Sequence, residues 1–301
     1  MSQAADQAVN NVRAILSMLL SMALFIFNDA LIKLVSDRLP IGQIICLRGL
    51  LSFAMVLIAA WSLGLLAHPR ALATRPMAWR TIGEVGATLL YLTALFQMPL
   101  ANATAILQIV PLACTAGSAL FLGEAVGWRR WSAAIVGLLG ALVIIRPGME
   151  GFDAASLFAV ASMGFIVLRD LITRKIDRAV SGLMITVMTS GAMTLTGAAL
   201  SPFETWVWPS NTEFALLAAA AMFLTGGYLT IVYAMRTGEI SVVSPFRYAI
   251  ILWALLIGYL VWGDIPDMAT IAGIVIVVGA GVYTFRREAA LKIRRKSYVR
   301  T

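Results

Sequence analysis

The sequence SMALFIFNDALIK, residues 21–33, returns as SMGFIVLRDLITR at residues 162–174, with the serine, the methionine, the aspartate and a closing base all displaced by 141 positions. Each copy sets a carboxylate inside a run otherwise apolar enough to lie in hydrocarbon. Two further segments repeat in the same order. YLTALFQM (91–98) returns as YLTIVYAM (228–235), and FLGE, closing at Glu124, as VWGD, closing at Asp264. Internal self-similarity decides an architecture before local patterns do, so the chain reads as two copies of one unit.

What surrounds these anchors is membrane sequence. Of 301 residues, 60% are hydrophobic and 13% charged, against about half and a quarter in soluble proteins. Apolar runs of about twenty residues, long enough to cross a hydrocarbon core of ~30 Å, predict spanning helices at 13–35, 41–65, 81–99, 102–123, 131–146, 155–174, 182–200, 213–235, 241–262 and 268–286. The first run is too long for a signal-peptide core and lacks a small-residue cleavage site, so it counts as a span. Five helices per copy is an odd number, and the second copy therefore enters the membrane from the opposite side. The expected fold class is all-α: a polytopic integral membrane protein whose ten transmembrane helices form two inverted five-helix repeats, 13–148 and 149–286. An N-terminal tail, 1–12, and a basic tail, 287–301, flank them.

Lys and Arg resist translocation, and they gather in alternate connections: Arg70, Arg75 and Arg80; Arg129 and Arg130; Arg169, Arg174, Lys175 and Arg178; and the tail from Arg286. This pattern predicts cytoplasmic N and C termini. The net charge of +8 comes largely from that tail, which follows directly on a membrane helix and so suits anionic lipid heads rather than nucleic acid. Cys46 and Cys114 fall in apolar helices as free packing thiols. With His68 the only histidine, no His/Cys metal cluster is available, and neither metal nor other cofactor is expected. The GxxxxGK[ST] phosphate loop is absent.

An ionisable group at membrane depth costs several kcal/mol unless it is paired or wet. Asp29 has Lys33 four residues on, on one helix face, and Arg48 at a similar depth in the second helix. Its counterpart Asp170 has Arg174 at the same spacing, with Arg247 placed to join it. Two readings stand side by side: gate clusters, one per membrane mouth, broken in alternation, or static interfacial ion pairs. Glu84, a few residues into the third predicted helix, suits that helix's positive amino end. With Asp29 and Asp170 it is also a candidate for proton coupling. Glu124, followed by Arg129 and Arg130, reads as a surface ion pair.

Small-molecule sites are mostly apolar, with a few placed polar groups. Candidate substrate ligands are Asn28, Tyr91, Gln108, Tyr228, Tyr248 and Trp253, the one tryptophan in mid-span; each also suits helix packing. Pro111 removes one backbone hydrogen bond and is expected to kink the fourth helix. Gly137, Gly140, Gly273, Gly279 and Gly281 suit close helix contact, between halves or between protomers.

Inverted repeats are the usual construction of secondary transporters, with the site between the copies near the midplane. The segment PLACTAGSALFLGE (111–124) and its partner SPFRYAIILWALLIGYLVWGD (244–264) resemble the drug/metabolite transporter superfamily in its EamA-like branch, over residues 13 to 286. The whole is similar to bacterial exporters of aromatic amino acids. Ile251 stands where the first copy has Pro111, so a proline kink applies to the first half alone. The resemblance implies a secondary-active exporter of small metabolites, amino acids and aromatic ones foremost, working by alternating access in a bacterial inner membrane as a monomer or weak dimer. Drug-like cations or S-adenosylmethionine are the alternative cargoes. A lipid-modifying membrane enzyme is the rival of another class, and it lacks the dense polar cluster at one interface that such chemistry needs.

Overall fold

The computed structural model describes residues 2–65, 74–122, 127–145, 154–173, 175–177, 180–237 and 243–298. Among these every regular element is helical. In chain order they are α1 (Ser2–Val35), α2 (Ile41–Ser62), α3 (Arg75–Gln97), α4 (Leu100–Leu107), α5 (Val110–Leu122), α6 (Trp128–Ile145), α7 (Ala155–Thr173), α8 (Gly182–Leu200), α9 (Asn211–Thr237), α10 (Ala249–Trp262) and α11 (Met268–Tyr298). Single 3₁₀ turns occupy Ser201–Phe203 and Ser244–Tyr248. Among the described residues, five stretches are long and apolar enough to cross a membrane, at Val9–Val35, Ile41–Ser62, Ala155–Thr173, Gly182–Phe203 and Asn211–Met235. Shorter apolar helices occupy Leu100–Cys114, Trp131–Ile145, Phe246–Trp262 and Met268–Tyr283.

Three of the expected helices differ from their sequence reading. The fourth is broken. Gln108 and Ile109 donate their N–H groups to the carbonyls of Ala105 (3.1 Å) and Ile106 (3.2 Å), three residues back instead of four. Pro111 explains the interruption, because it has no N–H to offer the Leu107 carbonyl and its ring crowds the preceding turn. The Gln108 side chain repairs part of the loss by donating Nε2 to the Thr104 carbonyl at 3.3 Å. The ninth helix also opens irregularly, as the 3₁₀ turn Ser244–Tyr248 with a proline in its first positions. Pro245 thus interrupts the second copy although Ile251 replaces Pro111, and a proline device is not confined to the first half. Counting back from the terminal acids, Gln108 and Tyr248 are equivalent positions, so the two irregularities coincide in the repeat. The third helix begins at Arg75, six residues before its apolar run, because Thr74 accepts a hydrogen bond from Met77 N and a proline fills the first turn.

The chain divides into two compact units. The first comprises residues 1–26, 104–152 and 227–301, the second 27–103 and 153–226. In the first, α6 packs on α11 where Gly140 and Gly273 face each other. A Cβ on Gly273 would sit 2.7 Å from the Gly140 carbonyl oxygen, so the absence of side chains sets the approach. Gly279 has nothing within 4 Å of such a Cβ. Ala14, Met18, Met22, Ala234 and Val243 form this unit's apolar cluster, and Ser21 Oγ donates to the Gly227 carbonyl at 2.7 Å. In the second unit α2 packs on α8 and α3 on α7, through Gly42, Gly49 and Gly197 in one contact and Gly83 and Gly86 in the other. Ser162 Oγ donates to the Ala87 carbonyl at 2.9 Å. Ser21 and Ser162 are repeat equivalents, and each ties its own helix to a helix of the other copy.

The α1–α2 turn is clasped to residues 204–213 within the second unit. Pro40 offers α2 no side-chain cap. The Glu204 carboxylate supplies one, accepting from Gly42 N at 3.0 Å to each oxygen, and a carboxylate suits a helix amino terminus. Gln43 and Val207 exchange two hydrogen bonds, 2.6 and 3.1 Å. Arg38 pairs with Glu213 at 2.7 Å, while Glu213 and Ser210 complete a reciprocal cap on α9.

Candidate functional site

Three helices of the second unit bring polar side chains together in an apolar setting. Asn28 and Asp29 come from α1, Arg48 from α2 and Tyr91 from α3. The Asp29 carboxylate accepts from the Tyr91 hydroxyl at 2.7 Å and from Asn28 Nδ2 at 2.8 Å. Asn28 Oδ1 in turn accepts from Arg48 Nη1 at 3.2 Å. Asn28 is thus a relay, its amide spending a donor on the acid and an acceptor on the base. Asn28 is 2% exposed and Arg48 8%, and burial makes the amide and the guanidinium depend on this network for their hydrogen bonds. The arrangement presents one negative and one positive group a single amide apart, which is the complement of a molecule carrying an ammonium and a carboxylate. Lys33, one turn on from Asp29, donates its ammonium to the Met98 carbonyl.

A second cluster lies on α3, α7 and α8. Glu84 accepts from Arg169 Nη1 at 3.2 Å and pairs with Arg80 at 3.4 Å. Arg169 Nε reaches Asp170 at 2.8 Å, and Arg80 Nη1 donates to Thr189 Oγ1 at 2.7 Å. Two acids and two bases alternate in one chain. Glu84 precedes Tyr91 on α3 by seven residues, about two helical turns, so one face of α3 carries a member of each cluster.

The structure corrects the reading of Glu84. Because α3 starts at Arg75, Glu84 lies in the third turn, buried at 8% exposure, beyond reach of the helix's amino-end dipole and held between two arginines. Arg80 and Arg169, counted from sequence as charges of the connections, are members of this network. The i, i+4 spacing of Arg80 and Glu84, and the position of Arg169 as the repeat equivalent of Asn28, are the signals that find them. Arg174, the expected partner of Asp170, lies outside the described residues, as do His68 and Glu124.

The remaining candidates belong to the first unit. Gln108 is occupied with the helix break. Tyr228 meets Phe25 edge-on, ring centroids 5.3 Å apart. Tyr248 ends the 3₁₀ turn, with its hydroxyl where a Gly281 side chain would otherwise lie. Arg247 is exposed in the same turn. Trp253 packs against the cluster of Ala14, Met18 and Met22, and Pro111 is the second residue of α5.

The EamA-like transporter family matches the chain twice, over residues 12–146 and again over 154–286. The chain belongs to this family. It is a multi-pass membrane protein and a transporter. Among EamA-like relatives, the pseudopaline exporter CntI of Pseudomonas aeruginosa is 27% identical over 91% of this chain and 96% of its own length. The riboflavin transporter of Vibrio cholerae is 29% identical over 69% and 72%. An S-adenosylmethionine uptake transporter of Rickettsia felis is 26% identical over 65% of this chain and 67% of that protein. A solved crystal structure superposes with a TM-score of 0.63 at 20% identity, covering 91% of this chain and 96% of the other, which establishes a shared fold. Each EamA-like segment here contains its own helix irregularity, at Gln108–Ile109 and at Ser244–Tyr248.

Proposed function

We propose that this EamA-like transporter is a secondary-active exporter of small zwitterionic metabolites, amino acids with aromatic side chains foremost. The Asp29–Asn28–Arg48 relay, buried at Asn28 and Arg48, carries this reading. Asp29, with Asn28 and Tyr91, receives the cargo's ammonium, and Arg48 receives its carboxylate through the planar fork that suits that group. The proposed setting is a bacterial inner membrane, with both termini cytoplasmic. The two EamA-like segments are inverted five-helix repeats that exchange conformations in alternating access. Export is supported by the pseudopaline exporter, which aligns over almost its whole length.

S-adenosylmethionine is the second reading. The Rickettsia relatives favour it, and its methionine part offers the same two head groups. A panel of radiolabelled amino acids, S-adenosylmethionine and riboflavin, tested in liposomes holding the purified chain, separates these cargoes. Saturable uptake of one or more aromatic amino acids is expected. Uptake of riboflavin alone, which has no amino-acid head group, would contradict the assignment.

A further inference from the structure

Serines and threonines on the described helices commonly turn the hydroxyl back onto their own backbone. Thr93 donates to the Leu89 carbonyl at 2.8 Å, Thr189 to Ile185 at 2.7 Å, Ser190 to Thr186 at 2.8 Å and Thr194 to Ser190 at 2.9 Å. That is the ordinary way to satisfy a hydroxyl on a helix. Ser52 on α2 departs from it. The residue is 5% exposed, and its Oγ is buried with no hydrogen-bond partner among the described residues. A buried hydroxyl in that state costs free energy that a bound partner would recover.

Its position says which partner. Ser52 follows Arg48 by four residues, a rotation of about 40° and a rise of about 6 Å, so the hydroxyl stands one turn along the guanidinium's own face. Gly49, where α2 meets Thr194 of α8, is turned about 60° further round. Thr104, which among the described serines and threonines is the other with such a buried hydroxyl, stands on α4, a helix with no charged residue.

We propose that Ser52 is a specificity-determining residue of the transport site, donating its hydroxyl to the cargo carboxylate that Arg48 holds. The inference rests on the amino-acid reading above. A carboxylate has two oxygens: one meets the guanidinium, the other the hydroxyl. A carboxamide in the same place offers one oxygen and brings an NH₂ that cannot accept from either group.

The test measures transport of L-phenylalanine by the reconstituted full chain and its inhibition by L-phenylalaninamide, for wild type, Ser52→Ala and Ser52→Cys. Cysteine keeps the side-chain size and is a weak donor, which separates hydrogen bonding from packing. Wild type is expected to prefer the acid. Both variants are expected to raise the KM for phenylalanine roughly tenfold, the usual effect of losing a hydrogen bond to a charged group, with kcat and affinity for the amide little changed. An acid preference in Ser52→Ala as large as that of wild type would overturn the role of Ser52 and leave the cargo class standing. A wild type that does not carry phenylalanine, or does not distinguish it from its amide, would overturn the amino-acid reading and the role of Ser52 together. A raised KM in Ser52→Ala that Ser52→Cys restores to the wild-type value would assign the residue to packing and overturn the proposal.

Discussion

Arg48→Met is expected to raise the KM for an amino-acid cargo roughly a hundredfold. Two losses follow from that change, one of affinity and one of stability. The cargo carboxylate loses its cation, and a hydrogen bond to a charged group contributes about 1.5–3 kcal/mol. Asp29 meanwhile loses the base at the far end of its relay, and stripping one charge from a buried pair costs up to about 3–5 kcal/mol of stability. Arg48→Lys keeps the charge and loses the fork, so a smaller loss, roughly tenfold, is expected. The double variant Asp29→Asn/Arg48→Met separates the two costs. Removing both charges restores thermal stability relative to Arg48→Met alone, while transport stays lost. Transport by Arg48→Met with an unchanged KM would show that the guanidinium serves packing and not cargo.

Glu84→Ala carries the largest expected effect on stability. Glu84 sits between Arg80 and Arg169, and its removal leaves two arginines facing each other where one carboxylate joined them. A destabilisation of about 3–5 kcal/mol follows from stripping the partner from a buried pair. Asp170→Ala removes an acid whose side chain is 42% exposed, and a smaller loss is expected there. Thermal melting of the detergent-solubilised protein, followed by size-exclusion retention, measures both. Combining Glu84→Leu with Arg169→Leu is expected to melt above Glu84→Ala, because apolar replacement of a whole buried pair is tolerated better than half of it. Equal melting of Glu84→Ala and wild type would remove the network from the account of stability.

How far the sequence revealed this arrangement depends on which residue is asked about. Asn28, Asp29, Arg48 and Tyr91 were legible because each interrupts an apolar run, where a polar side chain has to be explained. Their convergence was less so. Helix spacing relates Asp29 to Lys33, one turn away, and says nothing of Asn28 bridging to a second helix or Tyr91 arriving from a third. Glu84 was misplaced because hydropathy starts a helix where apolar residues start, whereas α3 starts at its Thr74 cap and runs through Arg75 and Arg80. Counting bases by connection likewise assigned Arg169 to the aqueous side, although it lies on α7 within reach of Glu84. The break in the fourth helix was signalled by Pro111. The ninth has no proline at the equivalent position, Ile251, and its proline is Pro245, six residues earlier. Ser52 gave no signal at all. A serine in an apolar helix normally bonds its own backbone, and only coordinates show one that does not.

The claim on which the account rests is that one site grips both ends of a zwitterion. Competition against labelled phenylalanine by its two single-headed analogues, phenethylamine and 3-phenylpropionate, tests it most directly in the reconstituted transporter. Neither analogue should compete within tenfold of unlabelled phenylalanine, since each leaves Arg48 or Asp29 without its counterpart. Competition by either one as strong as that of phenylalanine would contradict the account.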